Sequence, residues 1–237
     1  MIAIEQQAFL LHCRPYQDHN YLVDLLTEHD GKVSAVAYVN RNAKVNKKAF
    51  LQPFRPLTVL LKGRSALKNL SLVESSGKSL ALNGDYLYSG FYLNELLIRL
   101  LTEQFACPRL FQKYQQSLQA LVNKQPLEST LRAFELTLLE ELGISFDFLP
   151  LYHAQQQQLT HCYFTAEQGF VAVESLIEIP QKMPNFMVVD LIAIAEQRLA
   201  CPNVMLTYKR LMRQVINNLL GNKPLNSRKF FKRENKL

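Results

Sequence analysis

Lysine and arginine are concentrated at the two ends of this 237-residue chain, which points to the binding of a polyanion. Residues 1–79 carry a net charge of +5, residues 80–200 carry −6 and residues 201–237 carry +8. Four cations fall within eight residues that contain no acid: Arg41, Lys44, Lys47 and Lys48. The second basic segment includes Lys223, Arg228, Lys229, Lys232 and Arg233. Such clusters are typical of nucleic-acid-binding surfaces, although solvated loops can have the same composition.

Enzymatic chemistry has no comparable set of residues in this sequence. There is no Walker-type phosphate loop, no Gly-x-Ser-x-Gly elbow and no His-Glu-x-x-His, and the eight glycines are scattered. Glu140 and Glu141 adjoin leucines and suggest the solvated face of a helix. We therefore predict a binding protein with no catalytic residues and no cofactor. A metal-dependent nuclease remains the alternative, because the acidic middle of the chain could supply clustered carboxylates.

The cysteines and the hydropathy pattern bear on the cellular compartment. The four cysteines are widely separated and form no Cys-x-x-Cys pair, so we expect them to be reduced and structural. The first residues do not resemble a signal peptide, and no window approaches about 18 uncharged apolar residues. We predict a cytoplasmic protein without a membrane partner.

Two kinds of segment must position the basic clusters. Residues 1–79 contain five short β-rich runs divided by turn signals such as His29-Asp30-Gly31. This is the size of a small barrel of the oligonucleotide/oligosaccharide-binding (OB) kind, although an open sheet or an SH3-like barrel would give a similar pattern. From residue 83 the apolar period becomes helical and predicts three helices that pack as a bundle. Two more helices, at about 186–200 and 203–220, are expected to return to that bundle.

We therefore predict an α+β architecture, with an OB-like barrel domain over residues 1–79 and a helical domain over residues 80–237. Residues 144–180 are expected to be an irregular insertion or a small hairpin. This insertion includes a loop at the glutamine run 155–158. A basic tail ends the chain.

An OB barrel binds single strands by combining a cationic groove with rings that stack on bases. The first candidates are the four cations of residues 41–48, because this loop lies between the third and fourth predicted strands. A second rank lies near strand ends: Arg14, Arg55, Lys62, Arg64 and Lys68. These could instead be edge charges that discourage sheet aggregation. Possible stacking residues, which could equally belong to the core, are Tyr16, Tyr21 and Tyr38.

Five segments, in order along the whole chain, resemble the RecO family of bacterial recombination mediators. They are residues 8–15 (AFLLHCRP), 51–54 (LQPF), 88–97 (YSGFYLNELL), 132–136 (RAFEL) and 221–228 (GNKPLNSR). The resemblance implies an N-terminal OB-fold, a C-terminal helical domain and no enzymatic activity. It also implies binding of single-stranded DNA, contact with duplex DNA and annealing of complementary strands. Together with RecR, such a protein helps RecA to replace the single-stranded DNA-binding protein (SSB).

Annealing and partner binding imply further sites. Annealing brings two polyanions together, so we expect the 41–48 loop and the 223–236 tail to hold different strands, unless the tail only solubilises the protein. The resemblance also implies docking of the acidic C-terminal tail of SSB, which needs an apolar groove and a cation. Arg132 is the first candidate, followed by Arg99, Arg109 and Lys113. The alternative for Arg132 is an internal salt bridge with Glu128 or Glu135.

One property of the family is missing from this sequence. Many members carry a four-cysteine zinc site after the third helix, where this chain offers only His153, His161 and Cys162. Structural zinc needs four ligands in spaced pairs, so we predict no zinc, with a weak site at these three residues as the alternative. The rival to a mediator is a general OB-fold module that binds RNA or single-stranded DNA.

Overall fold

The computed structural model describes residues 4–17, 19–38, 47–221 and 223–231, and its N-terminal part is a closed five-stranded barrel. Its strands are β1 (Glu5–Tyr16), β2 (Asn20–Thr27), β3 (Gly31–Ala37), β4 (Pro56–Lys62) and β5 (Lys68–Ser75). Around the barrel the order is β1-β2-β3-β5-β4, and β4 pairs back with β1. β3 and β5 run parallel, whereas the other neighbouring pairs are antiparallel. The OB-like barrel predicted for this part of the chain is confirmed.

The hairpin of β2 and β3 shows how the sequence sets the barrel register. Val23 of β2 lies opposite Ala35 of β3, and both side chains are buried in the barrel core. The turn between the strands ends at Gly31, whose φ of +66° is a left-handed conformation that favours glycine. A Cβ at Gly31 would lie 1.9 Å from the carbonyl oxygen of Phe105. The turn signal predicted at residues 29–31 is therefore confirmed, and Gly31 also permits this close approach.

Three helices follow the barrel: α1 (Gly84–Leu100), α2 (Pro108–Val122) and α3 (Leu127–Glu141). α1 and α2 contact β1, and α3 packs on α1 and α2. Phe9 of β1 contacts Phe111 and Tyr114 of α2, with ring centroids 5.7 and 5.3 Å apart. Asn94 of α1 donates from Nδ2 to the Leu11 carbonyl (3.1 Å) and accepts at Oδ1 from the Tyr114 hydroxyl (2.6 Å). Residues 1–141 form one compact unit, the first unit, which also includes the C-terminal residues 225–237.

Residues 142–224 form a second compact unit. It contains α4 (Leu149–Gln156), β6 (His161–Thr165), β7 (Gly169–Val173), β8 (Phe186–Met187), α5 (Val188–Ala195) and α6 (Pro202–Leu219). β6 is the central strand of a three-stranded sheet with β7 and β8 on its sides. Ring centroids of neighbours within one aromatic cluster lie 5.1–5.9 Å apart, and its members are Phe146, Phe148, Phe164 and Phe170.

Two expectations for the second half of the chain were wrong. α5 and α6 were expected to join the bundle of α1–α3, but they belong to the second unit, whereas α1–α3 belong to the first. Helix α4 was not predicted, and Gln155 and Gln156, which were assigned to a loop, form its last residues. Only Leu151 and Ala154 of this eight-residue helix are buried, so its apolar period is too short to recognise. The small hairpin expected in this region is present as β6 and β7. No helix in the described part of the chain is long and apolar enough to cross a membrane.

Candidate nucleic-acid interface

The positive charge of the protein belongs to one of its two units. The first unit contains 21 Lys and Arg against 14 Asp and Glu, a net charge of +7. The second unit contains six of each sign and is neutral. The N-terminal basic segment and the cations of residues 228–236 thus belong to the unit that contains the barrel, whereas Lys223 and the three cations of α6 belong to the second unit. A polyanion is attracted to the first unit first.

Lys48 and Tyr21 meet at the end of the barrel where β1 and β3 finish and β2 begins. Tyr21 lies opposite Pro15 of β1 and Ala37 of β3. Lys48 is exposed, its Nζ lies 5.4 Å from the centroid of the Tyr21 ring, and a hydrogen bond with Tyr21 raises the pKa of Lys48. An exposed ammonium beside an aromatic ring is the combination that single-strand-binding surfaces use.

The structure describes little of the other three cations of the 41–48 loop. Arg41 and Lys44 lie outside the described residues. Lys47 begins a short 3-10 turn, Lys47–Ala49, and nothing is described of its side chain. Their roles as DNA contacts stay predictions.

A second group of cations lies around the loop between β4 and β5. Lys62 and Arg64 are exposed, and the Nζ of Lys68 donates to the Gly63 carbonyl at 3.2 Å. Lys68 lies opposite Ala35 of β3 in the parallel pairing. Nucleic acid on OB-folds follows the β2–β3 face and the loops β1–β2 and β4–β5. The predicted cations thus flank β3.

Arg14 and Arg55 differ in how accessible they are. Arg14 is exposed on β1, opposite Leu22 of β2. Arg55 is half-buried, and its guanidinium donates to the Ala49 carbonyl at 3.2 Å. Arg55 therefore holds the segment that contains Lys48, whereas Arg14 is available to an external phosphate. The predicted stacking residues Tyr16 and Tyr38 are half-buried and exposed, respectively.

The middle of the β2–β3 face is not basic, which the sequence did not predict. Ser34 Oγ lies 2.7 Å from Asp24 Oδ1 and 2.6 Å from Glu103 Oε1, so two carboxyl groups meet there. Lys32 donates to the Ile98 carbonyl at 2.9 Å, and burial lowers its pKa. Because Glu103 follows α1 in sequence, no local pattern in β2 or β3 could reveal it. The geometry favours contacts at the ends of the strands over contacts across this face.

The C-terminal basic segment begins as a packed strap, residues 225–231, on helix α1. Leu225 and Ser227 are buried. The Glu95 carboxylate accepts from the Asn226 N–H (2.9 Å), the Ser227 N–H (2.8 Å) and the Ser227 hydroxyl (2.7 Å). Burial raises the pKa of Glu95, but these hydrogen bonds and Arg99 outweigh it and leave the pKa below its ordinary value.

The predicted cations of the tail are therefore not equivalent. Arg228 is half-buried and lies close enough to the buried Glu135 to favour its ionised form. Lys229 is exposed, and its Nζ donates to Asn226 Oδ1 at 3.2 Å. Lys223 is exposed and belongs to the second unit. Lys232 and Arg233 lie outside the described residues.

Three of the four candidates for the SSB tail have carboxylate partners within the first unit. Arg132 is 7% exposed and donates to Glu135, which is the internal salt bridge that the sequence left open. The other two ion pairs are Arg99–Glu95 at 3.6 Å and Arg109–Glu140 at 2.6 Å. The fourth candidate, Lys113, lines a shallow groove between α2 and α3 whose wall includes Ser117, Ala120, Ser129 and Ala133. The docking roles of these cations stay predictions.

The three residues considered for a weak metal site differ in exposure and in their neighbours. His153 is exposed at the end of α4, whereas His161 Nδ1 lies 3.3 Å from Asn185 Oδ1. Burial raises the pKa of Cys162 to about 12, and metals bind the thiolate form. Among the described residues, no group of three or more His, Cys, Asp or Glu is placed to hold a metal ion.

Comparison with known proteins identifies the family. Residues 1–77 match the family described as Recombination protein O N terminal, and residues 81–184 match Recombination protein O C terminal. A protein of Cellvibrio japonicus named DNA repair protein RecO is 41% identical over 95% of both chains. Proteins of the same name are 40% identical in Pseudomonas putida, over 96% of this chain and 97% of the relative, and 37% identical in Pseudoalteromonas atlantica, over 98% and 95%. The chain belongs to the RecO family and has a role in DNA repair.

Proposed function

We propose that this protein is a non-enzymatic recombination mediator that binds single-stranded DNA, also contacts duplex DNA, and anneals complementary strands. With RecR it would help to load RecA onto DNA covered by SSB, in the cytoplasm. The observation that carries the proposal is that the whole net charge of +7 lies on the unit with the OB-like barrel. Within that unit, exposed cations flank β3 and one of them contacts an aromatic ring.

The test of this function is annealing of complementary oligonucleotides precoated with SSB, without ATP, followed by fluorescence. Faster annealing in the presence of the protein supports a mediator. Unchanged annealing with intact single-strand binding would reduce the function to nucleic-acid binding alone. Competition between single-stranded DNA and RNA of equal length distinguishes an RNA-binding module, and magnesium-dependent degradation of DNA would reveal a nuclease.

The salt dependence of binding tests the 41–48 loop. If Arg41, Lys44, Lys47 and Lys48 neutralise phosphates, replacing all four by alanine should reduce the log–log salt slope by about 3, roughly 0.7 for each contact. A matched control removes four cations from the neutral second unit: Lys182, Arg198, Lys209 and Arg213. The control should leave the slope within about one unit of the wild type. Equal slopes for the loop variant and the wild type would remove the loop from the site.

The groove between α2 and α3 is the proposed docking place of the acidic SSB tail. Lys113 is half-buried in its wall, and Arg132 lies on the same helix as Ser129 and Ala133, which also line the groove. Lys113 stands in a groove otherwise lined by Gln, Ser, Thr and Ala, and its ammonium suits a peptide that ends in carboxylates. To bind an external carboxylate, Arg132 would have to give up its buried salt bridge with Glu135, which costs free energy. Lys113 is therefore the preferred candidate.

A further inference from the structure

The strap on helix α1 leaves three aromatic rings together at the surface of the first unit. The rings of Tyr88 and Phe230 stack with centroids 5.4 Å apart and an interplanar angle of 25°. Phe231 contacts the same tyrosine edge-on at 5.7 Å. Phe230 is 38% exposed, and the other two rings are half-buried. We call Tyr88, Phe230 and Phe231 the strap cluster.

The attachment of the strap does not depend on these rings alone. Leu225 and Ser227 are 1% and 2% exposed, and Glu95 holds the backbone of the strap through three hydrogen bonds. A phenylalanine that only fastened the strap would gain most by full burial, because removing apolar surface from water is favourable. The exposed part of Phe230 is apolar surface on a strongly cationic unit, with the exposed Lys229 next to it in sequence.

A chain of contacts joins the strap cluster to the end of the barrel. Phe230 contacts Phe91 at 6.4 Å, and Phe91 contacts Phe54 at 5.2 Å. The Phe54 ring reaches α1 because residue 90 is glycine: a Cβ at Gly90 would lie 2.8 Å from this ring. The next residue, Arg55, donates to the Ala49 carbonyl, which adjoins the Lys48 that contacts Tyr21.

We infer that the strap cluster is a second base-stacking surface for single-stranded nucleic acid, on the same unit as the surface at Tyr21 and Lys48. Bases stack on the exposed face of Phe230, and Lys229 receives a phosphate. Aromatic rings beside cations bind strands with little sequence preference, because every base has a π-face. This inference rests on the proposed function.

Tryptophan fluorescence tests the surface directly, because the chain contains no Trp. Phe230→Trp puts a single Trp in the strap cluster. An oligothymidine should quench its emission on binding, whereas an abasic oligonucleotide of equal length, which keeps the phosphates, should not. Phe230→Leu, which keeps an apolar side chain but no ring, should bind the oligothymidine about fivefold more weakly and the abasic strand equally well.

The outcomes separate the surface from the function on which it rests. If the oligothymidine binds the Phe230→Trp protein without quenching its emission, the rings only fasten the strap and the inference is overturned. If the wild-type protein binds neither oligonucleotide at low salt, the proposed function fails instead. Thermal unfolding checks that both variants keep the stability of the wild type. Should Phe230→Leu unfold early, the quenching of Phe230→Trp decides the question alone.

Discussion

Glu135 has no exposed surface, and its neighbours show how the fold accommodates a carboxyl group there. The Tyr92 hydroxyl donates to Glu135 Oε1 at 2.6 Å, and Arg132 donates to the same oxygen. Burial raises the pKa of Glu135, and the two neighbours oppose this rise only in part. A buried ion pair adds little net stability, yet removal of one partner leaves an uncompensated charge in the core. The first role of Arg132 is therefore structural: it compensates the buried carboxyl group of Glu135.

We expect Arg132→Ala to lower the free energy of unfolding by about 3 kcal/mol, because Glu135 would lose its cationic partner. The double variant Arg132→Met/Glu135→Leu should lose much less, since it removes both charges and keeps similar volume. Urea unfolding at pH 7, followed by circular dichroism, measures both losses. If the double variant lost as much as the single one, the two side chains would not be coupled.

The same variants sharpen the test of the docking groove. A peptide that ends in acidic residues and binds through Arg132 should lose affinity with the stable double variant as well as with Arg132→Ala. A peptide that binds through Lys113 should lose affinity with Lys113→Ala and retain it with the double variant. Fluorescence anisotropy of the labelled peptide gives these affinities.

At the scale of the element, the strap and helix α1 depend on each other through one carboxylate. Glu95 accepts three hydrogen bonds from residues 131 and 132 positions away in sequence. Segments 88–97 and 221–228 were both among those that resemble the RecO family, and the structure brings them into contact at this point. The strap therefore completes the first unit, although residues 142–224 of the second unit lie between helix α1 and the strap in sequence.

The lowered pKa of Glu95 makes the strap sensitive to acid. The unfolded chain protonates this carboxyl at a higher pH than the folded one, so its stabilisation is present above the ordinary pKa of about 4.3 and is lost as the pH falls through the lowered value. Glu95→Gln should lower the free energy of unfolding by about 2 kcal/mol at pH 7. The gap to the wild type should narrow below about pH 4.

Urea unfolding at several pH values measures that gap. The control is Glu167→Gln, which changes an exposed carboxyl in the turn between β6 and β7. The control should track the wild type at every pH. A gap of constant size from pH 7 to pH 3 would mean that the charge of Glu95 does not hold the strap.

Elements whose apolar period is long could be predicted from the sequence, and contacts between distant elements could not. The β-rich runs that contain Val23 and Ala35 and the helical apolar period from residue 83 predicted the barrel and the bundle. The strap is rich in polar and basic residues, so its sequence suggested only a tail. Likewise α5 and α6 have the period of bundle helices, but nothing local shows which partner they pack against.

The candidate site was predictable to a similar degree. Charge clustering indicated Lys48 and the β4–β5 loop, because exposed cations need no tertiary information to be recognised. The contact of Lys48 with Tyr21 and the acidic pair of Asp24 and Glu103 depend on how the chain folds back over more than 20 residues. Sequence clustering therefore identified cations that the structure exposes, and it missed the acidic groups beside them. Their contacts with DNA stay predictions.

At the scale of the whole molecule, charge is distributed by unit and not by position in the sequence. The sequence suggested two basic ends around an acidic middle, but residues 80–141, with seven of the thirteen acids of that middle, belong to the same unit as the barrel. Seven net positive charges remain on the first unit, while six cations, three of them on α6, balance six acids in the second. Long-range electrostatic attraction to DNA should act on the positively charged first unit, whereas the neutral second unit should experience little net attraction.

Truncation after Phe231 tests whether the end of the chain holds a second strand during annealing. It removes residues 232–237, with Lys232, Arg233 and Lys236, and keeps the strap in place. If these cations neutralise a second backbone, the salt slope of the annealing rate should fall by roughly 2, while the slope of single-strand binding changes by less than about one. Truncation after Gly221 is the contrasting variant, because it also removes Leu225 and Ser227 from the core and should lower the free energy of unfolding by about 3 kcal/mol. Equal changes in both slopes after truncation at Phe231 would show that one strand occupies the loop, the strap and the tail.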